Sequence, residues 1–120
     1  EVRDAQPFEE LSGPTDLDLV FSRSVLEHVR RPEAVIARMY ELLRSGGHAW
    51  HCIDLRDHRD FGKPLDFLRL SEAEYAPIAT ENRLRAAEWR TLLEAQGFEV
   101  ITAQYSSLLA ALAGGGPAAL

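Results

Sequence analysis

Histidines and carboxylates are concentrated in one short part of this 120-residue chain. His51, Asp54, Asp57 and His58 lie within eight consecutive positions. A histidine with a pKa near neutrality removes a proton effectively from a substrate hydroxyl or amine. We therefore predict that His51, Asp54 or His58 contributes to catalysis or contacts a substrate. The alternative is that these side chains form helix caps, loop ion pairs and a polar strand end.

Two short apolar segments position these polar residues. Residues 18–22 have the character of a strand buried on both faces, and residues 48–53 form a second segment of β-compatible residues. Between them, Pro32 begins a helix whose apolar residues recur at helical spacing, and Gly46-Gly47 ends it. The unit is therefore strand, helix, strand.

The second half of the chain repeats this pattern after an irregular segment. Residues 61–80 read as a long excursion above the sheet, in which Ser71 and Glu74 form a capping box. Thr80 or Asn82 caps a further helix that ends at Gly97.

An alternating segment after that helix, residues 98–103, predicts a third strand. Two strand-helix-strand crossovers predict an α/β fold with a parallel sheet and flanking helices. We expect residues 1–106 to form this domain and the Ala/Gly-rich residues 107–120 to form a tail.

The predicted topology gives the polar residues a common location. Ligands of open parallel sheets bind beyond the carboxyl ends of the strands, which here are followed by residues 22–28 and 51–58. Parallel pairing could bring His28 near His51 or His58. We expect one concave site with several titratable groups.

Composition excludes several classes of partner. A net charge of −6 gives no support for a basic surface that follows a phosphate backbone, so no nucleic-acid partner is expected. No apolar segment reaches the ~18 residues that span a bilayer, so no membrane partner is expected. Cys52, the one cysteine, lies in an apolar run, and we expect it in the core of a cytoplasmic protein. Trp50 and Trp89 are interpreted as packing residues.

Five segments in order resemble the second half of a class I S-adenosylmethionine-dependent methyltransferase. They are Asp-Leu-Val-Phe-Ser (18–22), Leu-Glu-His-Val (26–29), Arg-Pro-Glu (31–33), Leu-Leu-Arg-Ser-Gly-Gly (42–47) and Ala-Gln-Gly-Phe-Glu (95–99). Residues 51–58, 67–69 and 82–85 are also similar to a branch common among glycan and natural-product methyltransferases. The resemblance covers residues 2–104. It implies a partial Rossmann-like parallel sheet and transfer of a methyl group from S-adenosylmethionine to a small molecule or sugar.

The same resemblance implies cofactor-binding residues. Asp4, followed by Ala5, corresponds to the family's aspartate that accepts a hydrogen bond from the adenine amino group. Ser22 and Arg23 would lie beside the methionine part of the cofactor, largely through backbone groups. The family's Gly-x-Gly loop and its ribose-binding acidic residue precede the segment that matches here, so weak or absent cofactor binding is expected.

Three alternatives remain open. The chain could be a truncated, non-catalytic remnant that forms a homodimer through the exposed edge of the strand at residues 18–22. Some methyltransferases that bind a divalent metal carry Glu-x-x-Glu-His at the positions that correspond to residues 24–28 of this chain, which has Ser24 in place of the first glutamate. Glu27, His28 and His51 would be the candidate ligands of such a metal, but no metal is predicted. Asn82, Arg83 and Arg85 either hold an anionic substrate group or lie on a solvated helix face.

Overall fold

The computed structural model describes residues 6–105, which form a small α/β unit. Its strands are β1 (Leu17–Arg23) and β2 (Leu43–Cys52), and its helices are α1 (Pro32–Leu42), α2 (Glu72–Tyr75) and α3 (Ala86–Gln96). Short 3-10 turns lie at Phe8–Glu10, Leu26–His28, Asp66–Arg69 and Ala76–Ile78.

The two strands are parallel neighbours joined by α1, as the sequence predicts. Val20 pairs with Ala49, Ser22 with His51, and Arg23 with Cys52. Parallel pairing through a helix places both carboxyl ends at one edge of the sheet. The predicted strand-helix-strand unit is therefore confirmed in the described residues, whereas a full Rossmann-like sheet is not.

Helix α1 forms the centre of the core. Pro32 occupies its first turn, where a missing N–H costs no intrahelical hydrogen bond. Its buried side chains are Val35, Ile36, Met39 and Leu42, on one face of the helix. Val35, Ile36 and Met39 pack with Val20, Leu26 and Trp89, which ties α1, α3 and β1 together. The packing role predicted for Trp89 is confirmed, since only 3% of it is exposed.

The junction between α1 and β2 differs from the prediction. The helix ends at Leu42, and Gly46 and Gly47 lie inside β2. Pairing is irregular here, because Leu17 pairs with Leu43 whereas Leu19 pairs with His48. Gly46 has a φ of 73°, and a Cβ at Gly47 would lie 2.9 Å from the Leu17 carbonyl oxygen. The two glycines thus allow a bulge in the strand and do not end the helix.

The prediction that residues 18–22 are buried on both faces is wrong. Val20 is buried, but Leu19 and Phe21 are 52% and 55% exposed, and Trp50 is 63% exposed. Cys52 is exposed as well, contrary to its predicted core position. The described helices pack on the Val20 face, and because side chains alternate along a strand, the opposite face is left in solvent. Apolar composition alone therefore overestimated the burial of Trp50 and Cys52.

The predicted third strand is also not formed. Residues 98–103 belong to no sheet, and the described residues contain two strands and one crossover. A strand requires a neighbouring backbone to pair with, and the Phe98 N–H instead donates to the Leu93 carbonyl at the end of α3. Phe98 packs edge-on against Tyr40, with ring centroids 5.2 Å apart.

Residues 53–85 connect β2 to α3 and include the predicted excursion at 61–80. The predicted capping box is confirmed, because the Ser71 Oγ accepts from the Glu74 N–H and the Glu74 carboxylate accepts from the Ser71 N–H. The helix expected after Thr80 or Asn82 begins later, at Ala86. The predicted tail at 107–120 lies outside the described residues. None of the described helices combines the length and apolar character needed to cross a membrane.

A core truncation tests this packing. Ile36 is 1% exposed, so Ile36→Ala should lower the free energy of unfolding by about 2–5 kcal/mol through lost burial and a residual cavity. Ile101 is 75% exposed, and the same truncation there should cost less than about 0.5 kcal/mol. Urea unfolding followed by circular dichroism measures both, and equal losses would contradict the core described here.

Candidate active site at the carboxyl ends of the strands

Two loops meet where β1 and β2 end. After β1, the Ser24 N–H donates to the Cys52 carbonyl at 2.9 Å, and Ser24 adopts a φ of 53° that turns the chain. The following 3-10 turn carries Glu27 and His28. His28 reaches His58 from the loop after β2, with ring centroids 4.9 Å apart in an edge-on arrangement. The prediction that parallel pairing brings His28 near His51 or His58 is confirmed for His58.

The Glu27 carboxylate is the most unusual group in this region. The residue is 2% exposed, and neither carboxylate oxygen has a hydrogen-bond partner among residues 6–105. Burial of a carboxylate without a partner is unfavourable, because the protein does not replace the hydration that the charge loses. A group in this state is available to bind a ligand of opposite charge or a donor.

Asn82 fixes the loop that carries Glu27. Its Nδ2 donates to the Leu26 and Val29 carbonyls at 2.8 and 3.1 Å, and its N–H donates to the Glu27 carbonyl at 2.8 Å. This one side chain satisfies backbone groups of a turn that forms no sheet or long helix. Asn82 therefore positions the loop and does not cap α3.

The backbone of the excursion fixes the tautomer of the neutral His28 ring. Its Nδ1 lies 2.9 Å from the Thr80 carbonyl oxygen. Because a carbonyl only accepts, Nδ1 carries the hydrogen and donates it, and Nε2 of the neutral ring keeps its lone pair. The His28 side chain is otherwise exposed, which makes this nitrogen accessible from solvent.

His58 and Asp54, two of the predicted catalytic residues, are brought together. The His58 Nε2 lies 3.6 Å from an Asp54 carboxylate oxygen. Arg56 also donates to that carboxylate, and its hydrogen bonds are the main cause of the lowered pKa of Asp54. Asp54 therefore stays ionised and places negative charge beside the imidazole.

His51, the third predicted catalytic residue, contacts Ser22. Its Nδ1 lies 2.7 Å from the Ser22 Oγ, and its Nε2 is buried with no hydrogen-bond partner in the described part of the chain. Burial lowers the pKa of His51 to about 4. The imidazole is therefore neutral at pH 7, in contrast to a solvent-exposed histidine, which is partly protonated there.

Asp57, which shares the sequence cluster, has a structural role. It is 1% exposed, and Arg59 donates to its carboxylate and holds its pKa well below the usual range. The Asp57 N–H donates to the Pro64 carbonyl at 2.8 Å. Asp57 therefore closes the loop at the start of the excursion. This is the loop ion pair that the sequence offered as the alternative to a catalytic role.

The arginines before α3 also support the excursion. Arg83 donates to the Phe67 and Leu70 carbonyls and to Glu72, and Arg85 donates to the Leu55 carbonyl at 2.6 Å. These bonds favour a structural role over the anion-binding role considered for them. Sequence reasoning missed the loop-holding role of Asn82, because a polar residue between Glu81 and Arg83 carries no distinctive signal.

The four predicted cofactor-binding residues divide between two locations. Ser22 and Arg23 end β1 at the expected edge, with Ser22 facing His51 and Arg23 exposed on the other face beside Cys52. Asp4 and Ala5 lie outside the described residues.

Comparison with known protein families identifies the family of the chain. A family model described as "Methyltransferase domain" matches residues 1–103. The chain belongs to this methyltransferase family. It is a class I S-adenosylmethionine-dependent methyltransferase-like protein, so the resemblance found in the sequence is confirmed. No curated protein and no solved structure matches this methyltransferase-like chain.

The neutral, buried His51 predicts how stability depends on pH. Its folded pKa of about 4 lies below the ordinary 6.5, so between these values the unfolded chain binds a proton that the folded chain does not. The contribution of His51 to the free energy of unfolding is fully present above about pH 6.5. It is lost as the pH falls toward 4, which lowers the free energy of unfolding by about 2–3 kcal/mol in total.

Urea unfolding at several pH values between 6.5 and 5 measures this slope. His51→Gln should flatten it, whereas His48→Gln, at an exposed position of the same strand, should keep it. An unchanged slope in His51→Gln would show that other groups cause the dependence.

Proposed function

We propose that this protein transfers the methyl group of S-adenosylmethionine to a hydroxyl or amine of a small molecule or a sugar. The observation that carries the proposal is the family match over residues 1–103, since methyl transfer is the general activity of this family. Two contacts at the carboxyl ends of the strands support it, Ser22 with His51 and His28 with His58, because ligands of parallel sheets bind at that edge.

The residues that would hold the cofactor fit in part. Ser22 and Arg23 are the last residues of β1, and the backbone turns away from the sheet at Ser24. Asp4, with Ala5, is proposed to accept a hydrogen bond from the adenine amino group. When bound, S-adenosylmethionine supplies a methyl group on a positively charged sulfur. Positioning of the acceptor would then provide most of the rate enhancement.

His51 is proposed as the group that receives the acceptor's proton. If Nδ1 carries the ring hydrogen, it donates to the Ser22 Oγ and leaves the Nε2 lone pair free. That nitrogen has no hydrogen-bond partner among the described residues, and the ring is neutral at pH 7. A pKa of about 4 makes His51 a weaker base than the histidine of near-neutral pKa that the sequence led us to expect. Asp54 and His58 are proposed to contact the acceptor from the neighbouring loop.

Calorimetry and a transfer assay test the proposed function. The proposal requires the folded chain to bind S-adenosylhomocysteine at least weakly, with heat released or absorbed at up to millimolar ligand, and Asp4→Ala to weaken that binding about tenfold through loss of one hydrogen bond. His51→Gln should bind the ligand as the wild type does but transfer labelled methyl groups to small hydroxyl or amine acceptors at least about 100-fold more slowly.

Asp18→Ala is the matched control, because the Asp18 side chain is 84% exposed and pairs only with Arg44. It should leave ligand binding unchanged. A folded wild type that shows no heat at millimolar ligand would contradict the proposed cofactor.

We also propose, as a second function, self-association through β1. Leu19, Phe21 and Trp50 share an exposed sheet face, and the Phe21 and Trp50 rings lie 5.6 Å apart. Within residues 6–105, β1 pairs with β2 alone, so its other edge offers unpaired backbone groups. Apolar patches and open strand edges of this kind favour association with another chain.

Sedimentation from micromolar to millimolar concentration measures this association. The wild type should form dimers, and Phe21→Asp should weaken the dimer at least about tenfold because a charge enters the contact. Ile101→Asp places the same charge at another exposed position and should leave the dimer intact. A wild type that stays monomeric throughout would exclude this function.

A further inference from the structure

Glu27 differs from the other buried carboxylates among the described residues. The buried acidic residues of this part of the chain are Glu27, Asp57 and Glu81. Asp57 pairs with Arg59, and Glu81 accepts from the Thr80 hydroxyl and, at 3.5 Å, from the His58 N–H. Only Glu27 has two carboxylate oxygens without a donor. A cation would provide the missing partner.

Two imidazoles lie where they could share that cation. One carboxylate oxygen of Glu27 and one ring nitrogen from each of His28 and His58 all lie within 4.8 Å of one another. Small side-chain rotations bring atoms at this separation to metal-ligand distances. Within residues 6–105, no second set of three metal-ligating side chains comes together.

Each histidine has a nitrogen free for a metal. The His28 Nδ1 donates to the Thr80 carbonyl, which leaves Nε2 as the ligand atom. A hydrogen bond from the other ring nitrogen to a carbonyl is the usual support for a metal-binding histidine, because it fixes the tautomer and the ring orientation. The His58 Nε2 is buried and has no hydrogen-bond partner.

The surrounding charges favour a cation. Asp54 lies 3.6 Å from the His58 Nε2, and Glu81 contacts the His58 backbone. The nearest arginines of the crevice beside Glu27 are Arg83 and Arg85, and both direct their guanidinium groups to backbone carbonyls. The negative potential at Glu27 is therefore not cancelled by a free cationic side chain there.

We propose that Glu27, His28 and His58 bind one divalent transition-metal ion. Two imidazoles and one carboxylate suit zinc, cobalt or nickel, whereas magnesium and calcium prefer oxygen ligands. His51 is not a ligand, since it contacts Ser22, and Ser24 lies outside the set. Because His28 is exposed, the remaining coordination positions face solvent, where a water or an acceptor oxygen can bind.

Metal titration of the chelator-treated full chain tests the site. Cobalt(II) should produce visible absorption bands at one ion per chain, and zinc should displace the cobalt and raise the melting temperature. Glu27→Gln, His58→Gln and His28→Gln should each weaken binding at least about 100-fold, because loss of a ligand exceeds the 10–100-fold effect of losing a supporting group. His28→Gln alters an exposed side chain, so it keeps the test valid if a buried variant unfolds.

Matched variants separate this site from adventitious binding. His48→Gln, His51→Gln and Cys52→Ser remove the other histidines and the exposed thiol, and each should keep the wild-type affinity. Metal-free Glu27→Gln should be at least as stable as the wild type but should gain no stability from zinc, a difference that a structural role for Glu27 would not produce.

Absence of cobalt absorption in the folded wild type, or loss of it in Cys52→Ser, would overturn the proposal. No S-adenosylmethionine is present in these titrations. A failure of the metal site is therefore distinguishable from a failure of the proposed methyl transfer.

Discussion

The parallel pairing of β1 with β2 determines where each candidate site residue lies. It sets Ser22 opposite His51 and brings the turn after β1 to the loop after β2. Helix α1 makes this pairing possible, because its buried face supplies three of the six buried residues of the core on which the strands rest. Without that crossover, Glu27 and His58, which are 31 positions apart, would have no reason to be neighbours.

Polar side chains, more than regular secondary structure, stabilise the region above the strands. Asn82, Arg83 and Arg85 donate to backbone carbonyls of three different loop segments. Such loops contain few backbone partners of their own, so each buried carbonyl needs a donor from elsewhere. The arginines that look suited to an anionic ligand serve this requirement instead. Within residues 6–105, the two carboxylate oxygens of Glu27 and the Nε2 of His58 are left without a hydrogen-bond partner.

Local pattern explains what could be predicted from the sequence. The spacing of Val35, Ile36 and Met39 predicts α1, and the position of His28 after β1 predicts its approach to His58. Whether Cys52 is buried and whether residues 98–103 pair as a strand depend on which other segments lie nearby. The local residue pattern does not encode those neighbours, and both predictions were wrong. The same limit applies to Glu27, which is buried where the distant residue Asn82 donates hydrogen bonds to its loop.

The bulge at Gly46 and Gly47 links backbone length to chemistry. It absorbs the mismatch between Leu17 and Leu19 on one strand and Leu43 and His48 on the other. Side chains of a strand alternate between faces, so deletion of one residue here would turn His51 toward solvent and Cys52 toward the core. A deletion of one residue four positions upstream of His51 would thus exchange an imidazole for a thiol beside Ser22. The number of residues in this bulge therefore determines which side chain lies beside Ser22.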